Sequence, residues 1–199
     1  MTTERSYPRP LEYAGRTATL RYMTGDDEAA VLKFARTLPT HDLLFLPRDI
    51  TQPKVLAAWA SEVERGALTT LLAVDGDEVI GCATLSSDPL SWSPHVGEVR
   101  VVSSPKVRGM GVGRTLTQEI FAVALGQGKK KLTAQMTIDQ RGAIAVFEGL
   151  GFRGEALLRD HVQDHDGNMH DIVVLSHDVA QFQAQMEAYG FDQAFSGAH

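Results

Sequence analysis

A glycine-rich loop in the middle of the chain has the residue types and spacing most suited to chemistry. Residues 101–116 read VVSSPKVRGMGVGRTL, so a short apolar strand enters a loop that contains one arginine and three glycines. The apolar residues that follow have the spacing of one buried helical face: Val112, Leu116, Ile120 and Val123. Glycines allow close approach to the backbone, and the N–H groups at a helix start suit a phosphate or pyrophosphate. The loop therefore predicts an anion site.

Two well-known phosphate-binding loops do not fit these residues. A Walker loop ends in Gly-Lys-Ser/Thr, whereas Arg114 and Thr115 follow the last glycine here. The dinucleotide fingerprint needs G-x-G-x-x-G, a spacing that the glycines counted from Gly109 or Gly111 do not give, and no acidic residue ends the next strand at residues 131–135. An unrelated nucleotide-binding domain is thus the least favoured interpretation.

Two segments together resemble a known superfamily. The loop Arg108-Gly109-Met110-Gly111-Val112-Gly113 is similar to the Arg-x-x-Gly-x-Gly loop of the Gcn5-related N-acetyltransferase (GNAT) superfamily. Residues 140–152, QRGAIAVFEGLGF, resemble its second motif, a helix beside coenzyme A that ends in Leu-Gly-Phe. Both occur in the superfamily's order, with one strand (131–137) between them.

The resemblance implies an overall architecture. We expect a single-domain α/β fold with a mixed, mostly antiparallel central sheet flanked by helices. Residues 17–178 would form the N-acetyltransferase domain, residues 1–16 an N-terminal extension and residues 179–199 a C-terminal helix or tail. From periodicity and turn residues we predict strands at 18–22, 69–74, 79–85, 96–103, 131–137, 156–162 and 170–176, and helices up to 38 and at 53–65 and 181–189.

The resemblance also implies which residues bind the acyl donor, acetyl-CoA. In the superfamily the strand before the loop pairs its main chain with the pantetheine arm, one of its N–H groups polarises the thioester, and the loop binds the pyrophosphate. The implied cofactor contacts here are Val101, Val102, Ser103, Arg108, Gly109, Met110, Gly111, Val112, Gly113, Arg114, Gln140, Ala143 and Phe147. The implied reaction is direct transfer of acetyl to a primary amine, on a small molecule or a protein.

Phe147 departs from the superfamily's pattern. Many members have a tyrosine there that protonates the departing coenzyme A, and phenylalanine has no proton to donate. A thiol can leave as its thiolate, so transfer remains feasible. The alternative that Phe147 keeps open is a regulatory module that binds coenzyme A or acetyl-CoA without turnover.

A catalytic base is needed because an ammonium of pKa near 10 is mostly protonated at pH 7. Glu98 and His95 lie on or just before the strand that enters the loop, and they are the candidates in that order. Strand alternation places Glu98 with Arg100 on one face and His95 on the other. The resemblance implies a base on the His95 face, but a bulge, which is common in this strand, would reverse that argument. The simpler interpretations are a Glu98–Arg100 ion pair and a His95 in a plain loop.

Other polar groups form two candidate clusters. A last hairpin contains His161, Asp164, His165, Asp166, His170 and Asp171, but its tip fits turn chemistry and lacks the glutamate of a calcium loop. We therefore expect no metal site. His161 with Asp160, and His41, Asp42 and Arg48 of the 40–50 loop, could face the acceptor or be solvated.

Composition limits the other function classes. The chain has 199 residues, 43% hydrophobic and 22% charged, and a net charge of −6, which favours one domain and argues against a nucleic-acid partner. There is no long apolar stretch and no apolar signal core, so we expect no membrane partner. The single cysteine, Cys82, fits a reducing cytoplasm. Strand edges or the terminal helix could form a homodimer.

Overall fold

One sheet and four α-helices make up the described part of the chain. The computed structural model describes residues 5–179. Within them the strands are β1 (Arg9–Tyr13), β2 (Arg16–Tyr22), β3 (Leu68–Asp75), β4 (Glu78–Ser86), β5 (Val96–Ser103), β6 (Lys131–Thr137), β7 (Arg153–Gln163) and β8 (Met169–Asp178). The helices are α1 (Glu28–Ala35), α2 (Pro53–Glu64), α3 (Val112–Gly126) and α4 (Arg141–Gly149). This confirms the mixed α/β class.

The sheet opens at its one parallel pair. Strand order is β1-β2-β3-β4-β5-β6-β8-β7, and every neighbouring pair is antiparallel except β5 and β6. These two pair only where Val96–Glu98 meets Lys131–Thr133. Because β5 continues to Ser103 and β6 to Thr137 without further pairing, their carboxyl ends leave a wedge-shaped gap in the sheet.

Two cores cover the two faces of the sheet. One contains the buried side of α3 and Phe147 of α4, and the other contains the buried sides of α1 and α2, including Trp59. Strand β5 serves both, since Val99 belongs to the first core and Val102 to the second. The alternation expected for β5 is therefore present, and it sends Glu98 and Arg100 toward the α2 side.

The helix after the glycine loop forms as its periodicity predicts. Gly111 is its N-cap in the left-handed conformation, and Val112, Leu116 and Ile120 are fully buried along one face. Strands β5 and β6 also have the predicted bounds, while the other predicted strands are present but extend further. Helix α1 ends at Ala35 rather than residue 38, because Thr37 and Leu38 form tighter turns with Phe34 and Ala35. The predicted helix at 181–189 lies outside the described residues.

The sheet begins earlier than the expected domain start at residue 17. Strand β1 pairs with β2, and its Leu11 and Tyr13 are buried in the α3-side core. Part of the expected extension is therefore an edge of the sheet, since these side chains gain burial there that a free tail would lack. Within residues 5–179, no helix has the length and apolar character needed to cross a membrane.

A buried carboxylate in α3 attaches the N-terminal segment. The side chain of Glu119 is 7% exposed, accepts a hydrogen bond of 2.9 Å from the Tyr7 hydroxyl and lies 3.3 Å from the Arg9 guanidinium. Arg5 forms a further ion pair with it. The contacts join β1 to the outer side of α3.

Replacing Glu119 with alanine is expected to lower the free energy of unfolding by about 1–3 kcal/mol, the usual cost when a buried hydrogen-bond partner is removed. Urea unfolding followed by circular dichroism measures it. Glu148→Ala on the exposed side of α4 is the matched control and should stay within about 0.5 kcal/mol of the parent. Equal losses in the two variants would show that the Glu119 contacts add no stability.

Candidate active site

The gap between β5 and β6 holds a cavity. This wedge cavity has a volume of about 700 Å³. Its walls come from the carboxyl half of β5, the glycine loop, the start of α3, the end of β6 and helix α4. The cavity is therefore elongated along β5, with a helix N-terminus at one end and an open strand edge beside it.

The glycine loop has the geometry of an anion cradle. Gly109 has φ +75° and Gly111 has φ +90°, values that L side chains rarely adopt, and a Cβ at either position would meet no atom within 4 Å. The side of the backbone where a side chain would stand is thus open space. The first N–H groups of α3 have no carbonyl in their own helix to bond. They can donate to an anion in the wedge cavity.

Four arginines line the wedge cavity: Arg100, Arg108, Arg114 and Arg141. Together with the helix N-terminus they make the cavity positive, as phosphate groups require. Arg108 forms an ion pair with Asp42 of the 40–50 loop. The guanidinium of Arg108, which is expected to bind the pyrophosphate, is therefore paired with the carboxylate of Asp42 in this structure.

Eleven of the 23 residues that line the wedge cavity were expected from the sequence to bind the cofactor. All of the residues predicted to bind the cofactor line the wedge cavity except two. Val112 is fully buried in the core, and Met110 is 42% exposed while its N–H donates to the Val107 carbonyl. The side chains of Met110 and Val112 point away from the wedge cavity because the backbone turns between them at Gly111. Lining residues that the sequence analysis did not single out include Phe45, Thr117, Gln135, Met136, Asp139 and Arg141.

Phe147 lies in the wall of the wedge cavity. Its ring is 4% exposed and packs edge-on against Phe152, with ring centroids 5.0 Å apart. Among the described residues that line this cavity there is no tyrosine, cysteine or histidine. The wall therefore offers no ordinary side-chain acid near the position expected of the superfamily's tyrosine.

A second cavity, of about 300 Å³, lies on the α2 side of the sheet. We call it the side cavity; it is lined by Leu46, Pro47, Arg48, Ile50, Val55, Trp59, Glu62, Leu68, Cys82, Thr84, Ser86, Glu98, Arg100 and Val102. Arg100 and Val102 line both cavities. The two spaces are thus neighbours across β5.

Of the two proposed bases, the structure places Glu98 in the side cavity. Its Oε1 lies 2.5 Å from Nη2 of Arg100, so the ion pair expected as the simpler interpretation is present. Burial lowers the pKa of Arg100, while Glu98 opposes that shift. His95 is exposed at the opposite end of β5, where its carbonyl accepts from Lys130 and Lys131, and it lines neither cavity.

The 40–50 loop crosses the gap between β5 and β6. Nε2 of His41 lies 2.7 Å from Oδ2 of Asp139 and 3.3 Å from the Thr137 hydroxyl, and its ring packs against His170 at 5.3 Å. Asp42 reaches Arg108 on the other side of the gap. The sequence analysis did not predict these contacts, because the partners are distant in sequence.

The last hairpin has the turn chemistry expected of it. Asp164 accepts hydrogen bonds from the N–H groups of Asp166 and Asn168 and pairs with His170 at 2.9 Å. In the part of the chain that the structure describes, no three His, Cys, Asp or Glu side chains converge as metal ligands would. Asp160 and His161 are exposed and line neither cavity.

Replacing Asp42 with asparagine should tighten acetyl-CoA binding. The Arg108 side chain is 52% exposed, so its pair with Asp42 is worth about 0.2–1 kcal/mol, and freeing it should lower the Kd up to about fivefold. Calorimetric titration measures the change. Asp88→Asn, which alters net charge equally in a turn outside both cavities, should leave the Kd as it is. A higher Kd for Asp42→Asn would mean that Asp42 supports the cofactor site rather than competing for Arg108.

Comparisons with known proteins point to one family. A family model described as the Acetyltransferase (GNAT) family matches residues 35–152. N-alpha-acetyltransferase 30 of Schizosaccharomyces pombe is 24% identical over 123 residues, which cover 61% of this chain and 82% of that protein.

Solved structures share the fold. A ribosomal-protein-alanine N-acetyltransferase from Brucella melitensis aligns with a TM-score of 0.70 and 22% identity, over 80% of this chain and 98% of that one. A phosphinothricin acetyltransferase from Sinorhizobium meliloti, solved in complex with acetyl-CoA, aligns with a TM-score of 0.69 and 22% identity, over 82% and 89% of the two chains.

Proposed function

The chain belongs to the GNAT acetyltransferase family, and we propose that it moves acetyl from acetyl-CoA to a primary amine by direct attack within a ternary complex. The observation that carries this proposal is the arrangement of two cavities on either side of β5, with Arg100 and Val102 common to both. Donor and acceptor can then be bound at once, with their reacting ends meeting at this strand.

The wedge cavity would hold acetyl-CoA. Its arginines and the N-terminus of α3 suit the phosphates, because guanidinium groups and the free N–H groups at a helix start both bind anions. Past Glu98, alternate residues of β5 turn their N–H and C=O groups away from β4, and because β6 does not pair with them there, these groups can pair with the amide groups of the pantetheine arm. An N–H of Val101 or Ser103, the residues whose backbone groups face the gap, would polarise the thioester carbonyl and stabilise the oxyanion.

Glu98 would accept the proton that the acceptor ammonium must lose. The freed amine attacks the thioester carbonyl carbon, and the C–N bond forms as the carbonyl π electrons move to oxygen. Collapse of this tetrahedral intermediate breaks the C–S bond and expels coenzyme A. Because Phe147 cannot donate a proton, the sulfur leaves as thiolate and is protonated by water, while the amide nitrogen loses its second proton to solvent.

Cys82 is unsuited to an acetyl-enzyme intermediate, which supports direct transfer. Its side chain is buried in β4 and lines the side cavity. Burial raises the pKa of this thiol to about 12. Since the thiolate is the nucleophile, Cys82 stays a neutral and unreactive thiol at pH 7.

The first experiment is calorimetric titration with acetyl-CoA, coenzyme A and NAD, followed by a thiol-release assay with a panel of amines. Micromolar binding of acetyl-CoA, no binding of NAD and amine-dependent thiol release are expected. Absence of acetyl-CoA binding would overturn the proposal. Binding without release across amino acids, alkylamines, polyamines and peptides would instead favour the regulatory module that Phe147 keeps open.

A further inference from the structure

We propose that the side cavity takes as acetyl acceptor a small α-amino acid with an apolar side chain. The inference rests on the proposed function and names the substrate class for it. Three features of the cavity carry it: its charges, an unsatisfied donor in its wall and the apolar character of the remainder.

The charged groups of the side cavity are balanced in sign. Arg48 Nη1 lies 3.0 Å from Glu62 Oε1, and Arg100 Nη2 lies 2.5 Å from Glu98 Oε1. An acceptor that carries both an ammonium and a carboxylate can match such a pair without leaving a charge uncompensated. A simple cation, such as an alkylamine or a polyamine, would meet a guanidinium beside each carboxylate.

The Glu98–Arg100 pair also has the spacing of an α-amino acid. The two side chains lie in direct hydrogen-bond contact, so their charged ends are adjacent. In an α-amino acid the ammonium and the carboxylate share one carbon atom, which places its two charges next to each other as well. The ammonium can therefore meet Glu98 while the carboxylate meets Arg100.

Arg100 has an unused donor for that carboxylate. Its side chain is 14% exposed, and Nε is buried without a hydrogen-bond partner among the residues that the structure describes. Buried N–H donors are nearly always satisfied, so an unpaired one in a cavity wall indicates an acceptor atom supplied by a ligand. A carboxylate is the group that a guanidinium binds best, through its planar set of N–H donors.

The rest of the side cavity suits an apolar side chain of limited size. Much of its lining consists of Leu46, Ile50, Val55, Trp59, Leu68 and Val102. A volume of about 300 Å³ lies at the lower end of small-molecule pockets. A free amino acid such as leucine fits this combination of size, apolar surface and paired charges.

The test compares L-leucine with analogues that each lack one feature. Thiol release is measured with L-leucine, leucinamide, 3-methylbutylamine, spermidine and a peptide that begins with leucine. We expect kcat/KM for L-leucine to exceed that of every analogue by about tenfold or more, because an analogue that lacks one charged group leaves the polar groups of the site unpaired. Equal or faster transfer to 3-methylbutylamine, leucinamide, spermidine or the peptide overturns the inference while leaving the proposed function in place.

Arg100→Gln tests the assigned residue. The ratio of kcat/KM for L-leucine to that for 3-methylbutylamine should fall toward one, mainly through a higher KM for leucine. Arg65→Gln, on an exposed residue after α2 that lines neither cavity, should keep the parent ratio. A ratio that stays at the parent value in Arg100→Gln would contradict the role. Because the analogue series uses the unaltered protein, it decides the inference even if this variant fails to fold.

No thiol release with any amine, despite acetyl-CoA binding, overturns both proposals.

Discussion

Gly111→Val is expected to abolish acetyl-CoA binding, raising the Kd by about 100-fold or more, equivalent to about 2.7 kcal/mol. Gly111 has φ +90° at the N-cap of α3, a conformation in which a β-branched residue is strained. The added side chain would also project into open space beside the loop, where the pyrophosphate is proposed to lie. Backbone strain and steric obstruction thus both weaken acetyl-CoA binding, and calorimetric titration measures the Kd.

Gly66→Val separates these two effects. Gly66 also has a positive φ, +70°, and open space around the position of its Cβ, but it follows α2 and lines neither cavity. The variant should lose stability through similar strain and keep the parent affinity. If Gly111→Val bound acetyl-CoA within threefold of Gly66→Val, the proposal that the glycine loop holds the pyrophosphate would be wrong.

The features that the sequence predicted well depend on local signals. The loop from Arg108 to Gly113 and helix α3 follow from glycine conformation and from apolar spacing, both of which act over a few residues. The hairpin between β3 and β4 forms at Asp75-Gly76-Asp77 for the same reason. The alternation of side chains along β5 correctly placed Glu98 and Arg100 on the same face, because β5 has no bulge in its pairing with β4.

The features that the sequence missed depend on contacts between distant segments. Asp42 meets Arg108 across 66 positions, and His41 meets Thr137 across 96. No periodicity encodes such pairs. His95 was a candidate because it lies just before β5 and on one face of it, but neither argument shows at which end of β5 the site lies, and the gap opens at the other end. The side cavity likewise exists only where α2 and the 40–50 loop cover the sheet.

Glu98→Gln is expected to lower kcat/KM at pH 7 by about 100-fold or more, the lower range of what a general base contributes. Glutamine keeps the shape of the side chain and can still accept a hydrogen bond from Arg100, but it cannot take a proton from the acceptor. The variant can then react only with acceptor that is already unprotonated, and this form is scarce at pH 7 when the amine pKa is near 10. Acetyl-CoA affinity should stay within a few-fold, since Glu98 lines the side cavity and not the wedge cavity.

The pH profile distinguishes a base from a structural role. In Glu98→Gln, log(kcat/KM) should rise with a slope near one between pH 7 and 9 as free amine accumulates, so its deficit shrinks with pH. Glu62→Gln, which alters the other carboxylate of the side cavity, should raise the KM for the acceptor and leave the shape of the profile as in the parent. A deficit in Glu98→Gln that is constant across this pH range would contradict the base assignment, because loss of an ion pair with Arg100 does not depend on the supply of free amine.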